Sequence, residues 1–564
     1  MLSRAGRTRN EDKETVMAER SGSDLLAQQM REEGVEDLFY IMGGPIIEVA
    51  GFAADYGIRT IDCRHEQGAA MAAPGYARVK RAPGVCLAAS GPATTNLLTG
   101  VANAYLDGVP LVALGGAAAT RAFDTDAFQE YDQLSMAKPV TRWAARVHHS
   151  DRMPEYFNIA MRRAQGPKPG PTYLDLPGDA LYKRADEEQV WFPPGRRLPV
   201  RPAPDTGAIA QAIEILRDAE RPLVLSGSGV FWSDAAAELR AFIDQARIPF
   251  FTTPQGRGVV PEDHELAFLG ARGQAFREAD AILTVGTRFN FIVSFGHPPR
   301  FAPDVKVIQI DTDPAEIGRN RPVDLGIVAD AKIGLGALTS AAKEAGVRGS
   351  ESWIARLSES HQAKEQQSRE VAESDAIPIH PLRVANEIRD YVDRDAIVSI
   401  DGMETLNFGR QWIPSYTEGA RLNSGPNGCM GVGIPFAMGA KAAAPGRQVV
   451  AFVGDGSFLM NVQEFDTMVR HDLPIVAVIS NNGGWTGGSN DTPGRPLGFA
   501  QRYPDGVAAL GGHGELVTRP DEIRPAIERA FASGKPACVN VHVDEHARAT
   551  TVPFGGYSTM MARS

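Results

Sequence analysis

Short apolar runs recur along the chain, each stopped by glycine, aspartate or asparagine and each followed by a stretch with apolar positions three or four residues apart. Runs of that length bounded by turn residues predict buried strands, and the intervening spacing predicts helices. The first array opens with helical spacing over residues 23–33 and continues with strands at 38–42, 60–63, 85–89, 111–114 and 173–176. Such alternation predicts a mostly parallel sheet covered by helices.

Residues 183–205 are rich in proline and arginine, hold no period and read as a linker. Beyond it a second array places strands at 222–225, 281–285 and 307–310, which run into Gly227-Ser228-Gly229, Gly286-Thr287-Arg288 and Asp311-Thr312-Asp313-Pro314. Strand-end glycines and aspartates suit a nucleotide, with an aspartate on the ribose hydroxyls. The glycines do not spell the dinucleotide fingerprint, so a domain that keeps this topology without a nucleotide stays open. A polar stretch at 341–374 reads as surface helix plus a long linker, and a third array has strands at 396–400, 449–453, 475–479 and 537–543. The expected fold class is α/β, with three doubly wound parallel-sheet domains at 21–185, 203–345 and 376–545, a disordered tail at 1–20, and a lid or tail at 546–564.

The densest chemistry lies at 453–488. Helical spacing at 462–469 joins the strands 449–453 and 475–479, which makes them parallel neighbours whose carboxyl ends open into one crevice. Asp455 and Asn482 stand there, 27 residues apart, with a carboxylate and an amide oxygen but no Cys or His. That donor set suits a hard cation such as Mg²⁺ shared with a diphosphate, and Gly456 lets backbone N–H groups approach phosphate. Two ordinary strand-end turns would also be rich in Gly and Asn.

With 564 residues the chain is long enough for three or four domains. A net charge of -11 argues against a nucleic-acid partner, since no basic stripe is present to displace counterions. The four cysteines, Cys63, Cys86, Cys429 and Cys538, are scattered and suggest neither a metal site nor a disulfide framework. No apolar signal-peptide core and no membrane-length apolar run occurs, so a cytoplasmic location without membrane contact is expected.

The stretch 453–488 resembles the diphosphate-binding signature of thiamine diphosphate (ThDP) enzymes, Gly-Asp-Gly followed some two dozen residues later by Asn-Asn. The resemblance implies that Asp455, Asn482 and the Gly484 carbonyl bind Mg²⁺, with Gly44, Met403, Glu404, Gly454, Gly456, Ser457, Trp485 and Thr486 around the cofactor. The run Arg64-His65-Glu66-Gln67-Gly68-Ala69-Ala70 is similar to the family's glutamate motif. On that match Glu66 exchanges a proton with the aminopyrimidine ring, helped by an apolar setting; a Glu at a helix start is often there only for the dipole. In Asn427-Gly428-Cys429-Met430-Gly431, Met430 would wedge under the cofactor and the Gly428 carbonyl accept from its amino group, although a Met in an apolar run is usually core.

The likeness spans nearly the whole chain and is nearest to the acetolactate-synthase-like branch, within it to 2-hydroxyacyl-CoA lyases and oxalyl-CoA decarboxylases. It implies pyrimidine-binding, middle and diphosphate-binding domains in that order, and an active site with Glu66 from one subunit and Asp455 from another, in a homodimer at minimum and a homotetramer by expectation. Arg288, Asp311, Asp330 and Ala331 match positions that bind ADP in acyl-CoA members and FAD in acetolactate synthases. Ala271-Arg272 matches the segment that meets the CoA phosphates, where an Arg fork pairs well, though a surface Arg is the plainer reading. In Ala127-Phe128-Gln129-Glu130 the lyase and synthase form places Gln129 to bond a substrate hydroxyl or carbonyl. Trp485-Thr486 stands where decarboxylases carry Ile-Tyr, and Met403-Glu404-Thr405 also departs from the family pattern. Asp491 falls where a catalytic side chain enters, or is a turn former. The expected activity is cleavage of a 2-hydroxyacyl-CoA to formyl-CoA and an aldehyde or ketone. Alternatives are decarboxylation of oxalyl-CoA or a 2-keto acid, acetolactate synthesis, and a non-catalytic nucleotide-binding relic.

Overall fold

The computed structural model describes residues 19–195, 200–485, 492–499 and 502–549. Three parallel sheets of six, five and six strands carry the chain, as the alternating pattern predicts. In the first, the spatial order is Arg59–Asp62, Asp37–Tyr40, Gly84–Ala88, Leu111–Ala117, Pro171–Pro177, Trp143–Arg146. The third repeats that order with Arg421–Leu422, Ile397–Asp401, Val449–Gly454, Val476–Asn481, Ala537–His542 and His513–Val517. The middle sheet runs Phe250–Thr252, Pro222–Ser226, Ala281–Val285, Lys306–Asp311, Leu325–Val328. In each sheet the order reverses beside the first strand, which opens a crevice at the carboxyl ends there. In the third sheet Asp401 pairs with Val453 and Gly454 with Ser480, so the chain leaves three adjacent strands at one level.

Five strands that the sequence pattern misses, Trp143–Arg146, Phe250–Thr252, Leu325–Val328, Arg421–Leu422 and His513–Val517, are all sheet edges. Trp143–Arg146, Leu325–Val328 and His513–Val517 are partly exposed and carry less apolar sequence, while Phe250–Thr252 and Arg421–Leu422 are buried but only three and two residues long. The expected tail and linker are shorter than read, because Glu19–Ser21 pairs antiparallel with Arg184–Asp186. Residues 1–18 lie outside the described ones. The polar stretch at 341–374 holds no long linker: Ala331–Ala345 is followed by the helix Glu351–Ala372. Trp353, Ile354 and Leu357 of that helix pack in the middle-domain core and Ala372 in that of the third domain, so a mostly polar helix bridges the two.

The first and third domains share one apolar core. Its spine is the helix Glu66–Lys80 packed on the helix Gly433–Ala443. The two backbones approach so closely that a Cβ on Gly439 would lie 1.9 Å from the Ala72 carbonyl oxygen; any side chain there would part the helices. All four cysteines are free thiols, three of them buried. No described helix is long and apolar enough to cross a membrane.

Candidate active site

The strand Val449–Gly454 ends where the short helix Asp455–Leu459 begins, so Asp455 enters the crevice of the third sheet. It is 2% exposed, and burial pushes its carboxyl up to about 6 against backbone N–H bonds from Gly456, Gly483 and Gly484. Asp455 Oδ2 is buried with no hydrogen-bond partner. The Asn482 amide oxygen lies 3.3 Å from Asp455 Oδ1 and 2.8 Å from the Gly484 carbonyl oxygen, three acceptors with no donor between them. Turned over, the amide would donate to both; with a cation between them, the oxygen orientation is the one required. No group of three or more His, Cys, Asp or Glu side chains is placed to hold a metal among the described residues. The donors gathered here are oxygen only, which fits Mg²⁺. Asn481 does different work: its Oδ1 accepts from Gly483 N at 3.1 Å and its Nδ2 donates to Asn540 at 3.1 Å, which turns the chain and leaves Asn482 facing Asp455. The Trp485 ring lies over Gly456, where a Cβ would fall 2.5 Å from it.

A second carboxylate, Asp401, escapes the sequence reading. It ends the neighbouring strand, is 3% exposed, and accepts from Gly402 N at 2.6 Å and Gly433 N at 2.9 Å. It anchors one end of the turn that carries Gly428 and Met430, and Asn461 Nδ2 holds the middle through the Gly431 carbonyl at 2.7 Å. Met430 projects from this turn 37% exposed, so it is not a core methionine. Ser457 faces Asp401, and Gly454 lies beside Gly402. Met403 and Glu404 open the helix Met403–Trp412, and Glu404 accepts from Ala549 N at 3.0 Å, so the described end of the C-terminal segment reaches this rim. An acidic strand end before a Gly, as in Ser399-Ile400-Asp401-Gly402, was the available signal for Asp401.

The crevice of the first sheet holds Gly44 and Gln129. Ser90 links them, donating its N–H to the Gly44 carbonyl at 3.3 Å and its hydroxyl to Gln129 Oε1 at 3.1 Å. Gln129 has φ +58° and Asp124 and Asp126 are also left-handed, backbone that non-glycine residues seldom adopt. The Glu130 carboxylate closes this loop by accepting from Asp124 N and Ala127 N, which hold its carboxyl below the usual range. Phe128 stands 87% exposed beside it. Glu66 is the first residue of the helix Glu66–Lys80, and Asn96 donates to it at 2.9 Å. It is only partly buried, so the described residues do not build the apolar setting expected for it.

Arg288, Asp311, Asp330 and Ala331 line one cleft of about 960 Å³ between the first and middle domains. Arg81, Arg142, Lys168 and Arg201 stand in its walls. Lys168 pairs with Asp313 and Glu316, and Arg201 with Asp330 at 2.9 Å. Asp330 also caps the helix Ala331–Ala345, and burial pushes the Asp311 carboxyl up to about 6. Ala271 and Arg272 lie outside this cleft's lining. Ala271 is fully buried, so its side chain offers no ligand contact, and Arg272 starts a short helix with its guanidinium over the Phe276 ring. Thr486 and Asp491, and the C-terminal stretch from residue 550, lie outside the described residues.

Comparisons with known proteins agree with this architecture. The family descriptions "Thiamine pyrophosphate enzyme, N-terminal TPP binding domain", "central domain" and "C-terminal TPP binding domain" match residues 20–136, 209–338 and 405–541. The acetolactate synthase large subunit of Mycobacterium tuberculosis is 37% identical over 532 residues, 92% of this chain and 95% of the relative. The 2-hydroxyacyl-CoA lyase 1 of Homo sapiens is 31% identical over 556 residues, 93% and 95% of the two chains. The 2-hydroxyacyl-CoA lyase of Arabidopsis thaliana is 32% identical over 560 residues, 95% and 98% of the two chains. With all three domains matched in order and the oxygen nest of Asp455, Asn482 and Gly484 in place, the chain belongs to the thiamine pyrophosphate enzymes, in the branch that includes acetolactate synthases and 2-hydroxyacyl-CoA lyases.

Proposed function

We propose that the protein is a ThDP- and Mg²⁺-dependent carbon-carbon lyase that cleaves 2-hydroxyacyl-CoA to formyl-CoA and an aldehyde or ketone, and joins them in reverse. The observation that carries this reading is the strained loop that presents Gln129 at the first-domain crevice beside Ser90 and Gly44. A neutral side chain with donor and acceptor suits a substrate hydroxyl or carbonyl.

The cofactor, when bound, supplies the electron sink for breaking the bond next to the carbonyl. Asp455, Asn482 and the Gly484 carbonyl hold its Mg²⁺ and diphosphate, and Met430 and Gly428 support its rings. Glu66 holds and moves the proton at the aminopyrimidine nitrogen. Gln129 orients the substrate oxygen, and Arg272 is assigned to the CoA phosphates. Because Glu66 is only partly buried among the described residues, its site is completed by a second copy, in a homodimer that pairs further to a homotetramer. The cleft around Arg288 and Asp311 takes ADP.

Acetolactate synthesis is the second reading, favoured by the higher identity, 37% against 31%, to the mycobacterial synthase. Chromatographic assay of 2-hydroxyacyl-CoA, oxalyl-CoA and pyruvate side by side decides between them. Formyl-CoA as the fastest product supports the lyase; acetolactate or CO₂ without formyl-CoA rejects it.

A further inference from the structure

Glu464 is fully buried at the start of the helix Glu464–Arg470, nine residues beyond Asp455. Its carboxylate accepts the backbone N–H of Arg64 at 3.2 Å, that of His65 at 3.1 Å, and the Thr467 hydroxyl at 2.7 Å. Those two amides belong to the loop between the strand Arg59–Asp62 and the helix Glu66–Lys80, and the next residue is Glu66. His65 in turn caps that helix, its Nδ1 accepting from Gln67 N at 3.0 Å.

The same short helix grips the rest of the loop. Asp466 pairs with Arg64 at 2.5 Å, Arg470 with Asp62 at 2.6 Å, and His471 with Asp62 at 2.7 Å. A Cβ on Gly68 would lie 2.3 Å from Glu464 Oε1, so the first turn of the Glu66 helix is shaped around this carboxylate. Backbone donors at the positive end of a helix stabilise a buried carboxylate and are in turn fixed by it. Burial pushes the Glu464 carboxyl up while Thr467, the Arg64 and His65 amides and the Arg470 charge oppose that push. A group placed this way orients backbone; it touches no reacting atom itself.

We propose that Glu464 is a positioning residue for Glu66: it fixes the loop from which the Glu66 carboxylate is aimed and ties that loop to the segment carrying Asp455. The inference rests on the reading of Glu66 and Asp455 as the two halves of a cofactor site shared between subunits. On that reading the clamp joins halves of two different sites within one chain, so the loop at one site follows the diphosphate segment of the other.

Glu464→Gln tests it in the full-length protein, because the neutral amide removes the charge and leaves one accepting oxygen where the carboxylate offers two to Arg64, His65 and Thr467. Deuterium exchange at those two amides should rise about tenfold or more in the cofactor-free protein, while calorimetric binding of ThDP with Mg²⁺ stays within about threefold of wild type. In the loaded enzyme kcat should fall about tenfold with KM little changed, and the acid limb of the kcat–pH profile should move. A purely structural role would lower Tm and the active fraction yet leave that limb in place. Unchanged exchange at Arg64 and His65, or unchanged kcat and acid limb, overturns the proposal. If the Gln variant does not fold, Thr467→Val, which removes one donor to the same carboxylate, decides by the same measurements with smaller shifts. Wild-type turnover in Glu66→Gln would instead reject the role of Glu66 itself, and the two outcomes are read from different variants.

Discussion

The Asn482 amide oxygen faces Asp455 Oδ1 at 3.3 Å across 27 residues of chain, and the Gly484 carbonyl closes the group at 2.8 Å from the same amide. Three acceptors that near one another repel unless a cation or a turned amide lies between them. The Asp455→Ala variant should therefore fold and keep its melting temperature without metal, yet lose Mg²⁺-dependent retention of ThDP by about a hundredfold or more. Titration calorimetry with and without Mg²⁺ checks this, and unchanged affinity would show that the nest does not hold the metal.

Glu66 opens its helix with the Asn96 amide on its carboxylate. Its replacement by Gln keeps the shape and the hydrogen bond but removes the exchangeable proton. We expect unchanged cofactor binding and a loss of turnover of about a hundredfold to ten-thousandfold, the usual worth of a positioned acid or base. Steady-state kinetics on saturated enzyme measures it.

The cleft between the first and middle domains brings Arg288 and Asp311 into one wall system. Purified protein should be colourless and should bind ADP, and Arg288→Ala should weaken that binding about tenfold, the loss of one phosphate contact. A yellow preparation with flavin absorbance would contradict the ADP assignment and favour the synthase reading.

Asp107 is 1% exposed where the three domains meet, and burial pushes its carboxyl up to about 6 against the opposing Arg78 charge and a Gln255 bond at 2.6 Å. A carboxyl raised on folding contributes stability below its unfolded pKa and loses it as pH rises through the folded value. Melting curves should show this contribution declining between about pH 4 and pH 6, by up to about 3 kcal/mol. The Asp107→Asn variant should flatten that decline; an identical pH dependence in both proteins would show that Asp107 does not cause it.

The features readable along the chain alone are local. Central strands show as uninterrupted apolar runs because both of their faces are buried, and a Gly, Asp or Asn that stops such a run stands at a strand end. Asp455 and Asn482 stood out for that reason, the Gly484 carbonyl entered only through the family resemblance, and the repeated run-and-helix alternation announced three parallel sheets.

Tertiary packing decided the rest. Phe250–Thr252 and Arg421–Leu422 are too short to show a run, Trp143–Arg146, Leu325–Val328 and His513–Val517 keep part of their surface exposed, and Asp401 is separated by 32 residues from the Gly433 amide it holds. Glu464 meets Arg64 across 400 residues, and Ser90 meets Gln129 across 39, through contacts that no local period encodes. The helix Glu351–Ala372 reads as linker because only a few of its residues touch a core, and those few touch two. Glu66 shows the limit most clearly: its motif is local, but the environment that would tune it belongs to surfaces brought together beyond the local sequence, since desolvation depends on what covers a side chain and not on its neighbours in sequence.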